Sequence, residues 1–408
     1  MENLRDCQTI VQTRTHSVMI AREVNTPDLE KLFLQVHVDC NRDDPRFIRP
    51  LDQDILAVFD PGKNKTFRFG EVKRWILFDE AEAAVGRIAA FTNRKYKNKG
   101  DTVRVGGIGF FDCRNDTRYA DRLFQTAQDW LAEQGMEAMD GPINFGERDM
   151  WWGLLVEGFD SAVYGMNYNP PYYQKLFEDF GFRVFYNQIC WALPMANEKA
   201  QLQKKFYDQH DKFAADPDFQ ARHIKKQEEA KFAHDFCAVY NKAWAKHGGN
   251  KNIEEKQALK IYHAMRPVMD ENLVWFVYHR SVPIAMWISM PDINQVIRHL
   301  DGKLDLWGKL KFAYYRWRGE INRMVGFVFG VVPEFQGTGV DYFMIVEAER
   351  GIKVKGRYTD VELQWQGDFN PKIINISLNL GAIQKRRLVT YRYLFDENMI
   401  FQRHPTIV

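Results

Sequence analysis

Apolar and polar positions along the chain follow helical and strand periods, and the two alternate in the same order twice. In the first half, Thr26–Gln35 (TPDLEKLFLQ) opens on a threonine cap and repeats apolar residues at three- and four-residue steps, which predicts a helix. Arg74–Phe78 and Val85–Phe91 are short apolar runs that predict a strand pair, and Gly107–Phe111 predicts another strand. Arg118–Gln134 is amphipathic, with Leu123, Ala127, Trp130 and Leu131 on one face. Met136–Ile143 reads as a strand, Tyr172–Phe180 as a helix stopped by Gly181, and Val184–Leu193 as a closing strand.

The second half repeats the series. Ala230–Lys246 and Glu254–Met269 have helical spacing, and Asn272–Tyr278 and Ile284–Met290 flank the short turn His279–Pro283. Val325–Val332 (VGFVFGVV) is a continuous apolar strand. Asp341–Ile352 is helical, Asp360–Gln366 strand-like, Pro371–Leu380 helical up to Gly381, and Arg386–Phe395 a last strand. Between the halves, Ala196–Glu229 is polar, highly charged and poor in aliphatics, the signature of a solvated helical linker. The pattern predicts two mixed α/β units of one type.

Composition narrows the class. At 408 residues the chain has room for two cores, and 45% hydrophobic with 27% charged residues is the balance of a soluble globular protein. A net charge of +2 argues against a concentrated cationic face, so no nucleic-acid partner is expected. The cysteines Cys7, Cys40, Cys113, Cys190 and Cys237 are far apart, with neither metal-site nor redox spacing, which suits reduced thiols in a cytoplasmic protein. His37, His234, His263 and His279 show no metal-ligand pairing, so no metal is expected. The start of the chain, MENLRDCQTIVQTRTH, lacks the apolar core of a secretion signal, and no run is long enough to span a bilayer.

Candidate chemistry begins at Val331–Phe343 (VVPEFQGTGVDYF), where a strand turns through Gly337 and Gly339 into a helix. Free N–H groups and the helix dipole at such a start suit an anionic diphosphate, and glycines let backbone approach a ligand closely. On spacing alone, a tight turn between packed elements is the alternative. No Gly-Lys-Ser/Thr follows, and the dinucleotide pattern is absent. In this setting the stretch resembles the acyl-CoA loop of the GNAT acyltransferase superfamily, Gln/Arg-x-x-Gly-x-Gly/Ala, with Gln336 and Gly339 in register. Asp341 stands at the last, normally small, position. Its carboxylate either caps the helix beside the ligand or marks a loop that has lost it. Downstream, NPKIINISLNLGAIQKRRLVTY resembles the family's following helix, with Ser377 where many members carry a tyrosine acid.

The first half resembles the same fold without a glycine pair after GIGFFDCRNDTRYADRLF. Together, GPINFGERDMWWGLLVEGFD, NYNPPYY, the basic aromatic stretch Leu304–Arg318 and VVPEFQGTGVD resemble the bacterial ceramide synthase-like acyltransferases, a double-GNAT family associated with N-acylation of a long-chain amine. The resemblance implies an α/β (α+β mixed sheet) fold of two tandem GNAT-like domains. Residues 1–195 would carry the degenerate phosphate loop, 196–229 the linker, and 230–408 the acyl-CoA-binding domain. It implies acyl-CoA as co-substrate, contacted by Val331, Val332, Gln336, Gly337, Thr338, Gly339 and Val340, and an amine acceptor between the halves or beneath the basic aromatic stretch Leu304–Arg318.

Direct acyl transfer needs a base for the ammonium, donors for the oxyanion and an acid for the thiolate. Glu362 and Gln364 share a face of their strand, so Glu362 is a candidate base, or else a salt-bridged strand residue. Tyr391 is a candidate acid, or an ordinary half-buried strand tyrosine. Asn370 precedes Pro371 and reads as an N-cap, whereas the resemblance implies a pantetheine contact. Asn144 and Glu147, in a Gly/Pro-rich loop, and Tyr168 and Tyr173 after it, are candidate substrate contacts or a packed turn. Leu304–Arg318 (LDLWGKLKFAYYRWR) interleaves aromatic and basic residues, Trp307 among them. It would rest at a lipid headgroup surface and admit an acyl chain, or pack its aromatic face on its own domain.

Three functions fit these residues. The first is a tandem N-acyltransferase acting on a primary amine of long-chain type, cytoplasmic or attached at a membrane surface. The second is a small-molecule or peptide N-acetyltransferase, and the third a non-catalytic binding or scaffold protein of the same fold.

Overall fold

A computed structural model describes residues 19–98, 100–195, 202–244, 252–354 and 356–407. Cys7, the N-terminal stretch read for a secretion signal, linker residues 196–201 and residues 245–246 of the predicted helix lie outside these residues.

In the first half, β1 (Ile20–Glu23) is followed by α1 (Pro27–Asn41) and α2 (Asp52–Val58). The strands β2 (Val72–Phe78), β3 (Ala84–Phe91) and β4 (Val105–Cys113) run antiparallel. Then α3 (Thr117–Glu133) carries the chain back to β5 (Ala138–Gly141), parallel to β4. The half finishes with β6 (Leu154–Glu157), α4 (Tyr173–Phe180) and β7 (Arg183–Pro194). Local chemistry sets the helix ends. Thr26 Oγ1 accepts the Leu29 N–H at 3.3 Å with Pro27 at the first helical position. Gly181 closes α4 at φ +107°, a left-handed cap that a side chain would strain.

The second half opens with α5 (Lys204–Ala214) and β8 (Phe219–His223), both inside the charged stretch. It continues through α6 (Glu229–Ala243), α7 (Glu255–Met265), β9 (Val274–His279), β10 (Val282–Pro291), α8 (Asn294–Ile297) and α9 (Leu306–Trp317). Then come β11 (Arg323–Val331), α10 (Val340–Lys353), β12 (Asp360–Gly367), α11 (Pro371–Asn379) and β13 (Ile383–Leu394). The stretch 196–229 is therefore not simply a solvated linker. Phe206 and His210 of α5 are buried, and β8 extends the sheet edge antiparallel to β9, from Phe219↔His279 to His223↔Trp275. A narrow apolar stripe among charges is enough to dock a helix, so α5 and β8 are counted with the second half.

Among the described residues, thirteen strands form one sheet in the order β1-β2-β3-β4-β5-β13-β7-β12-β11-β10-β9-β8, with β6 beside β13. Each half contributes a parallel strand pair joined by a helix, β4 with β5 and β11 with β12. The last strands are exchanged. β7 pairs with β12, and β13 pairs with β5, while β7 and β13 bond each other antiparallel from Ile383↔Ala192 to Arg392↔Arg183. Val184–Leu193 closes a sheet as its pattern predicts, but it closes the other half's. Leu123, Phe124, Phe177 and Tyr391 lie in one core, and Phe232, Val274, Met344 and Ala348 in the other.

Candidate active site

The parallel strands β11 and β12 are bonded only from Arg323↔Asp360 to Gly326↔Leu363, and then separate. Two irregularities open this V. On β11 the register with β10 slips between Ile288 and Ser289, which leaves Phe327 as an extra, unpaired residue. On β12 the register with β7 slips between Leu363 and Gln366. At the vertex, a Cβ on Gly326 would lie 2.9 Å from the Leu363 Cδ2 methyl, so glycine leaves that side chain room between the strands. Beyond the vertex, the β11 edge from Phe327 onward has no β12 partner, and its alternate peptide groups face the opening.

Between the strands lies a cavity of about 550 Å³. Its walls are largely apolar: Phe327 and Phe329 of β11, Trp365 of β12, Ile376 of α11, Trp244 just past α6 and Leu193 of β7. Polar groups are few, among them Gln364, Gln366, Ser377 and Glu349. Gln366 and the buried Ser377 are hydrogen-bonded to each other, with Nε2 to Oγ at 2.8 Å and Oγ to Oε1 at 3.1 Å. α5 crosses from α10 to α11 over this space. Phe206 packs on Tyr342 with ring centroids 4.2 Å apart, the Tyr207 hydroxyl donates to Glu349 Oε2 at 3.0 Å, and Lys205 Nζ donates to Asn379 Oδ1 at 2.9 Å.

Past β11, the chain makes a short turn at Pro333–Phe335 and enters α10 through Gly337 (φ +77°) and Gly339 (φ +94°). Both values lie in the left-handed region that favours glycine. The Gln336 amide donates to Val331 O at 2.9 Å and the Thr338 hydroxyl to Phe335 O at 2.8 Å, so the turn is braced from within. Val332 and Val340 anchor its two ends in the core. Nothing would meet a Cβ on Gly337, whereas one on Gly339 would lie 3.2 Å from Gln209 Oε1. Asp341 lies in the first turn of α10. Burial pushes its carboxyl pKa up, against the backbone N–H groups of Asp341 and Tyr342 that hold it down. The carboxyl thus sits near the positive end of the helix dipole, in the first turn of α10.

Two sequence-based candidates do not reach this cleft. Glu362 is buried, and Arg386 grips it from β13: Nε lies 2.6 Å from Oε1 and Nη2 3.0 Å from Oε2. Arg323 adds a second cation at 3.6 Å. The carboxylate is consumed in an ion pair, and the bulge after Leu363, which breaks the predicted alternation, turns Gln364 and Gln366 to the opening instead. Tyr391 belongs to the first half because β13 is exchanged. It is buried beside Phe177, and its hydroxyl donates to Glu178 Oε1 at 2.9 Å. Asn370 sits at the N-cap position of α11 but makes no side-chain cap bond. Trp307 points away from the molecule on α9, 73% exposed.

The first-half loop fares differently. Trp365 Nε1, on the cavity wall, donates to Arg148 O at 3.2 Å, which seats the loop 144–148 on the second half's cleft. Glu147 is exposed there. After burial, its charge is the cause that pushes up the pKa of Tyr240, another cavity residue. The Asn144 amide donates to Glu147 O at 3.5 Å, and its Oδ1 is buried without a hydrogen-bond partner among the described residues. Tyr168 and Tyr173 line a separate space in the first half, where β4 and β5 part beyond Gly107↔Asp140.

That first-half space holds only about 60 Å³. Asp112 fills it with bonds from Arg87 Nε at 2.6 Å, His37 Nδ1 at 2.9 Å and the Tyr173 hydroxyl at 3.1 Å. Burial raises the Asp112 pKa, but the His37 and Arg87 charges and hydrogen bonds hold it down at about 2. The Tyr168 hydroxyl donates to Asp44 Oδ2 at 2.6 Å. At the start of α3, where the second half has its glycines, Asp116 caps the helix by accepting the Arg118 N–H.

Sequence reasoning missed Gln366, Trp365, Glu349 and the β7 wall. The first three carry polar or aromatic side chains on elements that the pattern predicts. Nothing in β7 itself signals that it lines the other half's cleft.

The architecture is that of the tandem GNAT proteins: two βα units, each with a splayed parallel pair, in one mixed sheet. A tandem GNAT protein from the clavulanic acid biosynthesis pathway aligns over 94% of this chain and 100% of its own, with a TM-score of 0.51 at 10% identity. No family model matches the sequence. The chain is a distant homologue of the bacterial ceramide synthase of Caulobacter vibrioides, 24% identical over 377 residues, which is 90% of this chain and 95% of that one. Protein YghO of Escherichia coli is likewise 24% identical over 383 residues, covering 90% and 93% of the two chains. Among the described residues, no helix is long and apolar enough to cross a membrane.

Proposed function

We propose that this chain is an acyl-CoA-dependent N-acyltransferase that transfers a long acyl group directly to the primary amine of a long-chain, sphingoid-type acceptor. The apolar cleft between β11 and β12 carries this reading. Its volume of about 550 Å³ lies within the usual range of ligand sites, about 300–1,000 Å³. Its lining suits hydrocarbon, and a glycine turn at a helix start lies at the end of β11. Homology to a protein named for ceramide synthesis supports an amine acceptor of this class.

Bound acyl-CoA would supply the thioester carbonyl. Backbone N–H groups of Gly337–Val340 would meet its diphosphate, with Gln336 holding the turn in shape. Val331, Val332 and the open edge of β11 would hold the pantetheine amides, with Asn370 on the α11 side. Peptide N–H groups near the Phe327 bulge are the donors for the oxyanion. We assign Glu147, rather than Glu362, to hold the acceptor's ammonium and take its proton, directly or through water. The amine then forms the amide C–N bond as the thioester C–S bond breaks, and the CoA thiolate leaves, taking a proton from solvent. The Ser377–Gln366 pair orients a polar group on the wall. An acceptor of this kind resides in a bilayer, so the enzyme would meet it at a membrane surface.

Thermal unfolding with acetyl-, octanoyl- and palmitoyl-CoA tests the cleft. A ligand at a hundred times its Kd stabilises a folded protein by about 2.7 kcal/mol, and palmitoyl-CoA is expected to protect most at equal concentration. Gly339→Val should remove the protection, because φ +94° strains a β-branched residue; unchanged affinity would sink the loop assignment. Preference for acetyl-CoA would move the function to a small amine. Protection by no acyl-CoA would favour the binding-protein reading, which a carboxyl rather than a small side chain at Asp341, in the first turn of α10, supports.

For the base, Glu147→Gln is expected to lower kcat/KM about 10²-fold, the lower end of general-base effects. Acyl-CoA protection should stay as in the parent protein. An unchanged rate would remove Glu147 from the mechanism.

A further inference from the structure

The helix α9 turns its apolar face outward. Leu306, Trp307, Leu310, Tyr314 and Trp317 are all exposed, Trp317 to 82%. At about 100° per residue, these side chains fall within an arc of about 100°. The opposite face is bound to the protein. Gly308 is buried, and a Cβ there would lie 2.3 Å from Lys303 O. Phe312 packs on the second-half core, Tyr315 stacks on His299 at 3.8 Å, and Arg316 donates to Pro267 O. The helix is therefore held rigidly in the orientation that exposes its hydrophobic side.

Helical geometry also places the charges. Lys309 and Arg316 run along one border of the apolar stripe, and Lys311 and Arg318 along the other. Nearby acids are engaged elsewhere: Asp305 caps α9 through the Gly308 N–H at 2.8 Å, Glu320 pairs with His299 at 2.8 Å, and Asp301 pairs with Arg49 at 3.2 Å. An exposed stripe of this kind calls for an occupant. A second copy of the chain, related by a two-fold axis, would bring these cations against their own kind. An anionic bilayer accepts both features, tryptophan and tyrosine rings at the headgroup level and lysine and arginine against phosphate.

We propose that α9 docks this protein on anionic membrane surfaces, with Leu306, Trp307, Leu310, Tyr314 and Trp317 entering the headgroup region. The inference stands on the surface of α9 and is separable from the cleft.

The test is co-sedimentation of the full chain with vesicles of phosphatidylcholine containing phosphatidylglycerol, against vesicles of phosphatidylcholine alone. Preferential binding to the anionic vesicles is expected, weakening as salt rises. Leu310→Asp with Trp317→Ser, and separately Lys309→Glu with Lys311→Glu, should each reduce it roughly tenfold or more. Both pairs alter exposed side chains, and a thermal midpoint unchanged from the parent protein's would show that each variant is folded. Absence of binding to anionic vesicles overturns the proposal while leaving the cleft reading intact. So does binding that survives both variants, or a stable dimer in solution that Trp317→Ser dissociates.

Discussion

Replacing Glu362 with glutamine is expected to destabilise this protein by about 3–5 kcal/mol, the cost of removing one partner of a buried ion pair. The substitution keeps the side chain's shape and removes its charge. It leaves the buried Arg386 guanidinium without that counter-charge, facing the neutral glutamine oxygen and the carbonyls of Asp160 and Ser161 at 3.1 and 3.3 Å. Removing both charges, Glu362→Leu with Arg386→Met, should recover most of the loss, because paired burial of charge is close to neutral against a packed apolar pair. Arg323 keeps its own bonds to Asp292, at 2.9 and 2.7 Å, in either variant. Urea unfolding of the three proteins measures this directly. Unchanged stability in Glu362→Gln together with lost acyl transfer would restore Glu362 as the base.

The second large effect concerns chain length. Leu363 lies at the closed end of the cleft, on the last bonded pair of β11 and β12. Leu363→Trp would fill space there without removing backbone or loop contacts. If it denies a bound acyl chain about four methylene groups, at about 0.8 kcal/mol each, palmitoyl-CoA affinity falls by about 3 kcal/mol, roughly 200-fold. Acetyl-CoA affinity should change far less. Equal losses for both ligands, or none for either, would mean that the acyl chain runs elsewhere. Titration calorimetry with the two thioesters separates these cases.

Both expectations depend on pairings that the sequence did not announce. The alternation of Val361, Glu362, Leu363 and Gln364 told which side chains would share a face of a regular strand. It could not tell that β12 bulges against β7, nor that an arginine 24 residues later in the chain would meet Glu362. Tyr391 was legible as a strand residue and misassigned to a half. The aromatic and basic residues of Leu304–Arg318 were legible as an amphipathic helix. Their period is the same whether the apolar face turns inward or outward, and packing of Phe312 and Tyr315 decided that it turns outward.

The sequence by itself determined what neighbouring residues can settle. Thr26 and Pro27 start a helix, Gly181 stops one, and Gly337 and Gly339 supply the left-handed turn after an apolar strand. The repeated order of elements, hence the two related halves, follows from such local signals. Tertiary structure decided which edges meet. Backbone N–H and C=O groups are the same in every strand, so β7 bears no mark that it pairs with β12 rather than with β5. That exchange builds one wall of the cleft from the first half, seats the Glu147 loop over it and withdraws Tyr391 from it. The choice of strand partner is made by the packing of whole cores, where contacts far apart in sequence are weighed together.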